Sequence, residues 1–330
     1  MQECLALALK GKEQVAPNPM VGCIIVYQDE IIGRGYHKVY GGPHAEVEAI
    51  ASVQNKALLS SATMYVSLEP CAHFGKTPPC SNLIIEHKLA KVVVACTDPN
   101  PLVAGKGIAQ LQAAGIEVSL GVLKTEAEAI NNRFFKAYSK QMPYTILKWA
   151  ESADGFMGND THRYISGAKA LEQLHQWRSE EDAFLVGTQT LLQDNPRLSN
   201  RLVVGKQPIR VVVDWDLKSD GKDLHIYDQS QKTFILNGIV NKVDQLIEWI
   251  KVDNTEPEHL LSTLFAHGVK SVVIEGGAKL LNNFYNSGQF HEIRKIVSKN
   301  CVLGHGLIGP QIQSEPIEII NLEEDILLVY

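Results

Sequence analysis

Apolar and polar runs alternate along this chain in two successive series. In the first, Val21–Tyr27 and Ile31–Tyr36 are rich in β-branched and aromatic residues and flank the polar Gln28-Asp29-Glu30, which predicts a hairpin. Pro43–Val53 predicts a helix, Thr63–Ser67 a short strand, Ser81–Lys88 a helix and Lys91–Ala95 another strand. Gly107–Ala114 predicts a helix stopped by Gly115, with extended chain resuming at Glu117–Leu120. Such alternation implies a layered α/β domain. A charged amphipathic stretch, Lys124–Lys140, then leads into Met142-Pro143, where we place the boundary between domains 1–143 and 144–330.

The second series begins with a strand at Tyr144–Glu151, a helix at Gly167–Glu180, a strand at Ala183–Gly187 and a short helix at Thr188–Gln193. Strands are expected at Ile209–Asp214 and Thr233–Leu236. A helix follows at His259–His267, closed by Gly268, and then a strand at Ser271–Glu275. Gly276-Gly277 opens a last helix running to Ser287. No period repeats and no segment is low-complexity, so two unlike α/β domains are expected.

Composition narrows the functional classes. The chain has 330 residues, 45% hydrophobic and 21% charged, an ordinary globular balance. Thirty-one basic against 37 acidic residues give a net charge of -6, which lacks the basic excess of a dedicated nucleic-acid binder. Glu3 and Lys10 interrupt any secretory apolar core, and no apolar run approaches a membrane span. The six cysteines (4, 23, 71, 80, 96 and 301) are scattered rather than framed as in a secreted disulfide scaffold, and Cys23 and Cys96 read as small core residues. A cytoplasmic protein is expected.

The chemistry is concentrated in Pro43-His44-Ala45-Glu46, Glu69-Pro70-Cys71 and Pro78-Pro79-Cys80. One imidazole and two thiolates form a three-donor set for zinc, and the fourth tetrahedral position stays open for water, as at catalytic rather than structural sites. Cys80 follows two prolines at an expected helix start, where the helix dipole favours its thiolate. Glu46, two residues past His44, does not share its helical face and is no co-ligand. It can take a proton from the metal-activated water and pass it to a ring nitrogen and then to a leaving amine. Hydrolytic deamination of an amino-substituted ring fits this set, as in zinc deaminases with the pattern H-x-E and P-C-x-x-C. Here, however, eight residues separate the two cysteines. Taken singly, the histidine and thiols would more often be inert core residues; together with Glu46 and two Pro-Cys dipeptides they are read as a site. His73 either joins the donors or only lines the pocket, and Lys76 and Thr77 either hold a substrate phosphate or belong to a solvated loop.

The run Glu69-Pro-Cys-Ala-His-Phe-Gly-Lys-Thr-Pro-Pro-Cys80, with Pro17-Asn18-Pro19-Met20-Val21-Gly22, Gly41-Gly42-Pro43-His44-Ala45-Glu46 and Asp98–Gly107, closely resembles the deaminase half of the RibD family, the bifunctional deaminase–reductases of riboflavin biosynthesis. In the second half, Leu147–Gly155, Asp194-Asn195-Pro196-Arg197-Leu198-Ser199-Asn200-Arg201 and Leu260–Phe284 are similar to segments of RibD reductase domains. The likeness spans nearly the whole chain and thins after about residue 300. It implies an α/β protein with an N-terminal cytidine-deaminase-like α/β/α domain followed by a dihydrofolate-reductase-like α/β domain that uses NADPH.

On its own, the Gly276-Gly277 turn between an apolar strand and a helix is either a plain turn or a place where backbone N–H groups meet a cofactor pyrophosphate. The resemblance favours the cofactor. It implies NADPH contacts at Ala150, Thr190, Asp194 and the turn Gly277, Ala278, Lys279, Leu280, Leu281, Asn282 and Asn283. Arg178, Leu198, Arg201 and Glu275 would contact substrate, the arginines suiting a ribose phosphate through their planar, permanently charged donors. Arg178 could instead complement a helix dipole at the surface, and Glu275 could cap the following helix. Asp160-Thr-His-Arg-Tyr-Ile-Ser166 departs from the family pattern: Tyr164 replaces the tryptophan that would flank the nicotinamide and, as a smaller aromatic, is expected to contact the cofactor in its place, and His162 replaces a substrate-binding serine. Asp214-Trp215 replaces the usual Asp-Ser.

The implied function is deamination of 2,5-diamino-6-ribosylamino-4(3H)-pyrimidinone 5′-phosphate, then NADPH-dependent reduction of its ribosyl group to ribityl. The rivals are the same deaminase with an impaired reductase half, a zinc deaminase for another base, and a non-catalytic zinc- and nucleotide-binding protein. The expected partners are a small phosphorylated pyrimidine and further copies of the chain, with neither nucleic acid nor membrane.

Overall fold

The computed structural model describes residues 1–12, 14–72, 78–101, 103–159 and 165–330. The chain divides into two units, Met1–Lys140 and Gln141–Tyr330, the division falling just ahead of Met142-Pro143.

The first unit runs α1 (Gln2–Leu9), β1 (Gly22–Tyr27), β2 (Glu30–Tyr36), α2 (Ala45–Ser52), β3 (Thr63–Val66), α3 (Cys80–Glu86), β4 (Lys91–Val94), α4 (Lys106–Ala113), β5 (Glu117–Leu120), α5 (Lys124–Ile130) and α6 (Asn132–Lys140). Its described strands form one five-stranded sheet in the order β2-β1-β3-β4-β5. β1 is antiparallel to both neighbours, whereas β3, β4 and β5 run parallel. The expected hairpin forms, with Gln28 and Asp29 both at positive φ as a tight two-residue turn requires. Apolar side chains of the sheet, among them Ile25, Met64, Val66 and Val92, pack against Ala49 and Ile50 of α2, Ile84 of α3 and Leu111 of α4. Cys23 and Cys96 are core residues, as expected.

The charged stretch Lys124–Lys140 is not continuous. It breaks at Asn131, whose side chain accepts from the Met20 N–H and donates to the Met20 carbonyl, both at 2.8 Å. A carboxamide engaged this way acts as one more rung for an extended segment, and that cross-link fixes the loop before β1.

The second unit runs β6 (Tyr144–Glu151), α7 (Ala168–Glu180), β7 (Ala183–Gly187), α8 (Thr188–Asp194), β8 (Ile209–Val213), β9 (Thr233–Asn237), β10 (Lys242–Asp244), β11 (Ile247–Lys251), α9 (Pro257–Ala266), β12 (Ser271–Gly276), α10 (Ala278–Ser287), β13 (Glu292–Ser298), β14 (Glu318–Leu322) and β15 (Asp325–Val329). The ten described strands form one sheet in the order β10-β11-β9-β8-β7-β12-β6-β13-β15-β14. It is parallel from β11 to β13 and closes with an antiparallel strand pairing at each side. The central strands are buried on both faces, so they read as continuous apolar runs. Crevices open beyond the carboxyl ends of such strands, and β7, β12 and β6 end side by side.

Five strands of this sheet, β10, β11, β13, β14 and β15, are not among those expected from the sequence. β13 holds a buried Arg294, whose guanidinium donates to Glu181 at 3.1 Å and Glu292 at 2.6 Å and lies 4.7 Å from the centre of the Trp177 ring. Charge pairing takes the place of an apolar side chain there.

Candidate active sites in the two units

In the first unit the three expected zinc donors converge. His44 is the N-cap of α2, in extended conformation after Pro43. Cys71 follows the Glu69-Pro70 step beyond β3, and Cys80 is the first residue of α3 with Pro79 as its cap. The His44 Nδ1 lies 3.3 Å from the Cys80 Sγ and 3.6 Å from the Cys71 Sγ, and all three donor atoms fall within 4.8 Å of one another. Tetrahedral bonds of ordinary Zn–S and Zn–N length would separate a nitrogen and a sulfur by about 3.6 Å. These three residues therefore fit zinc, and no fourth donor stands with them among the described residues.

The electrostatics differ from expectation in one respect. The first-turn amide of α3, that of Cys80, donates to the Cys71 Sγ at 3.3 Å, so the helix start serves Cys71 and not Cys80. Hydrogen bonds from Cys80 and His44 hold the Cys71 thiol down at about 4, although burial opposes this. Its thiolate neighbour and burial push the Cys80 thiol well above its usual range. The reason is directional: a first-turn N–H points back at the loop before the helix, where Cys71 stands.

Glu46 is buried beside this trio. Burial, helped by the negative charge of Cys71, raises its carboxyl to about 7. It lines a cavity of about 270 Å³ together with His44, Cys71, Asn18, His37, Asp98 and Tyr138. His37 was not anticipated as a lining residue. Its Nδ1–H donates to the Pro43 carbonyl at 2.9 Å, so the ring is neutral and its Nε2 accepts from Asn18 at 3.1 Å. That carbonyl adjoins His44, so His37 braces the turn that presents the ligand. Burial similarly raises Asp98 to about 7.

Glu69 has a structural task. Its buried carboxylate accepts from the amides of Asp98, Gly105, Gly107 and Ile108 at 2.9–3.2 Å, capping α4 and tying the Asp98–Gly107 segment to the cysteine loop. A side chain at Gly107 would put its Cβ 1.9 Å from the Pro70 carbonyl oxygen, so only glycine permits this approach. His73, Lys76 and Thr77 lie outside the described residues.

In the second unit, Ala150 lies on β6, Thr190 and Asp194 on α8, and Gly277 is the N-cap of α10 at the end of β12. A Cβ built on Gly277 would lie 3.2 Å from the Thr190 hydroxyl, which places the starts of α8 and α10 around one cleft. First-turn amides of Ala278, Lys279 and Leu280 have no partner within their own helix, so the turn suits an anionic group such as a cofactor pyrophosphate. Leu281 is not available through its side chain, which is fully buried in the core, and Leu198 is likewise core, packed with Val186 and Leu191. Either residue reaches a ligand only through its backbone. Lys279, Asn282 and Asn283 continue α10, and Tyr164 and His162 lie outside the described residues.

Arg178 is no surface residue, and Glu275 does not cap α10. Arg178 is buried and the Glu275 side chain is only 9% exposed, and the Arg178 Nη2 donates to the Glu275 Oε2 at 3.1 Å. The Nζ of Lys148, a residue not anticipated here, stands 3.7 Å from the other Glu275 oxygen. Burial pushes Glu275 up, but the two cations outweigh it and its carboxyl stays below the usual range, while burial lowers Lys148. A lysine inside the apolar run Leu147-Lys148-Trp149 was the available signal. Arg201 is exposed, and its Nη1 donates to the Ser199 hydroxyl at 2.9 Å.

Comparison with known proteins follows the same two halves. A family model described as cytidine and deoxycytidylate deaminase zinc-binding region matches residues 1–96, and one described as RibD C-terminal domain matches 143–324. The riboflavin biosynthesis protein RibD of Aquifex aeolicus is 34% identical over 100% of this chain and 97% of its own length. The chain belongs to the RibD family. RibD of Bacillus amyloliquefaciens is 38% identical over 89% of this chain and 82% of that protein. The structure of a diaminohydroxyphosphoribosylaminopyrimidine deaminase/5-amino-6-(5-phosphoribosylamino)uracil reductase from Thermotoga maritima superposes with a TM-score of 0.81 at 32% identity, covering 100% of this chain and 96% of the other. Acinetobacter baumannii RibD superposes at 0.86 with 33% identity, over 99% and 96%. The first unit thus has the cytidine-deaminase-like fold with a zinc-binding region, and the second the dihydrofolate-reductase-like fold of NADPH-using reductases. The chain is an enzyme with a deaminase half and a reductase half.

Proposed function

We propose that the first unit removes the 2-amino group of 2,5-diamino-6-ribosylamino-4(3H)-pyrimidinone 5′-phosphate, and that the second reduces the ribosyl group of the product to ribityl. The observation that carries this reading is the convergence of His44, Cys71 and Cys80 beside a buried Glu46, with His44, Cys71 and Glu46 lining one cavity. When bound, zinc at the three donors supplies an acidified water, and NADPH at the Gly277 turn supplies a hydride. The chain's own residues do the rest. With its carboxyl near 7, Glu46 is able both to accept a proton and to return it, as replacing a ring amino group by oxygen with release of ammonia requires. His37 and Asn18 hold the turn that presents His44.

In the second unit Glu275 is fixed in its ionised form between Arg178 and Lys148, where it can accept from sugar hydroxyls. Arg178 and Arg201 would hold the phosphate. Ala150, Thr190, Asp194 and the 277–283 turn would seat the cofactor.

The test is a two-step assay on zinc-loaded protein and the diaminopyrimidine ribosyl phosphate. Ammonia release without NADPH, followed by NADPH oxidation once it is added, is the expected order. No ammonia from zinc-replete protein would overturn the substrate assignment. We further place the enzyme in the cytoplasm, supported by cysteines that are all free. Self-association is supported by the outer strand β14, where Ile319 stands 66% exposed, and by Ile317 just ahead of it at 80%. Sedimentation giving a monomer would refute it.

A further inference from the structure

Outside the residues already given a role, the second unit holds a fully buried histidine, His175, on α7, three residues before Arg178. Its Nδ1 accepts the backbone N–H of Arg201 at 2.9 Å, across 26 residues of chain. That bond defines the tautomer: the proton sits on Nε2, and the ring is neutral. Burial, with the charges of Arg178 and Arg201 adding, pushes the ring's proton affinity down to about 4.

The segment His175 grips is held at two more points. The Gln207 carboxamide accepts from the Asn200 N–H at 2.8 Å and donates to the Asn200 carbonyl at 2.7 Å. At Ser199, the carbonyl accepts from Arg178 Nη1 at 3.2 Å and from Arg201 Nη1 at 3.3 Å. Two guanidinium groups meeting at one oxygen must have those nitrogens within the sum of the two distances, whatever the angle. Like charges this close repel unless an anion shares them. Glu275 neutralises one positive charge, but Lys148 adds another, so the cluster stays cationic. The Arg178 Nε is buried and has no hydrogen-bond acceptor among the described residues.

We propose that His175 is a positioning residue for the reductase reaction: by holding the Arg201 amide it fixes Ser199–Arg201 so that Arg178 and Arg201 bind one phosphate group together. The proposal rests on the reading that this arginine pair holds the substrate phosphate. His175 touches no substrate itself. Its effect therefore belongs in the affinity for the phosphorylated substrate and not in the hydride step.

The experiment uses the full chain. NADPH oxidation is followed with 5-amino-6-(5-phosphoribosylamino)uracil as substrate and with inorganic phosphate as competitive inhibitor, for His175→Leu, His175→Asn and Arg201→Ala. The asparagine side chain keeps an acceptor where Nδ1 stood; leucine does not. Expected for His175→Leu is a roughly ten- to hundredfold rise in both the substrate KM and the phosphate inhibition constant. The kcat, the KM for NADPH and ammonia release by the first unit should change less than twofold, and His175→Asn should recover most of the loss. Should the leucine variant not fold, His175→Gln takes its place, since its carboxamide reaches toward the Nε2 position instead. An unchanged KM in that variant overturns the proposal. So does a parallel loss in kcat, both KM values and His175→Asn, because that pattern marks fold support alone. If Arg201→Ala leaves both constants unchanged, the phosphate reading itself fails and takes the proposal with it; if Arg201→Ala raises them while the His175 variants do not, only the proposal fails.

Discussion

Glu46→Gln should separate catalysis from stability in opposite directions. A carboxyl raised to about 7 by burial is destabilising wherever it is ionised in the unfolded chain but costly to ionise in the folded one. Starting from an ordinary value of 4.5, the folded protein loses stability as pH rises from that value to about 7, and the loss is complete above it. The full difference corresponds to about 3 kcal/mol, of which about 2.5 kcal/mol develops between pH 5 and pH 8. A glutamine of the same shape carries no such cost. Metal-free protein, prepared with a chelator so that no cation offsets the carboxylate, should therefore show Glu46→Gln gaining on the parent by about 2–3 kcal/mol between pH 5 and pH 8 in urea unfolding. Zinc-loaded Glu46→Gln should release ammonia about 10²–10⁴-fold more slowly at unchanged zinc content. A stability gap that does not vary with pH would refute the burial argument. Ammonia release within tenfold of the parent would refute the proton-transfer role.

Other perturbations test other parts of the molecule. Cys71→Ser or Cys80→Ser should abolish zinc retention and ammonia release, while NADPH oxidation on the already deaminated substrate continues, since the reductase residues all lie in the second unit. Glu69→Ala takes the acceptor from four amides, those of Asp98 and Gly107 buried, and should cost the first unit about 2–4 kcal/mol in urea unfolding. Arg294→Met leaves Glu181 buried without its guanidinium and should destabilise the second unit by about 3–5 kcal/mol, a loss that Glu181→Gln in the same chain partly restores; an unchanged midpoint would show the pair to be dispensable.

Local signals carried much of the first unit and its site. Val21–Tyr36 contains its own turn, and His44, Cys71 and Cys80 stand on segments whose prolines and glycines dictate the backbone, so their residue types and spacing already spelled out a metal site with Glu46 beside it. The alternation of β7, α8, β12 and α10 was legible for the same reason: buried parallel strands are continuous apolar runs. Tertiary structure decided what depends on partners remote in the chain. Arg178 and Glu275 are 97 residues apart, and nothing near either in sequence says that they neutralise one another or that Lys148 joins them. Strand β13 hid because Arg294 is buried by pairing and not by being apolar, and the outer hairpin of β14 and β15 hid because only one edge of it is covered. The break at Asn131 exists only because Met20 is there to be held, and the helix start at Cys80 serves Cys71 only because the Cys71 sulfur stands within reach of its amide. Residue type and local spacing determine which chemistry is possible; the burial and proximity that set each group's charge state arise only when distant segments pack together.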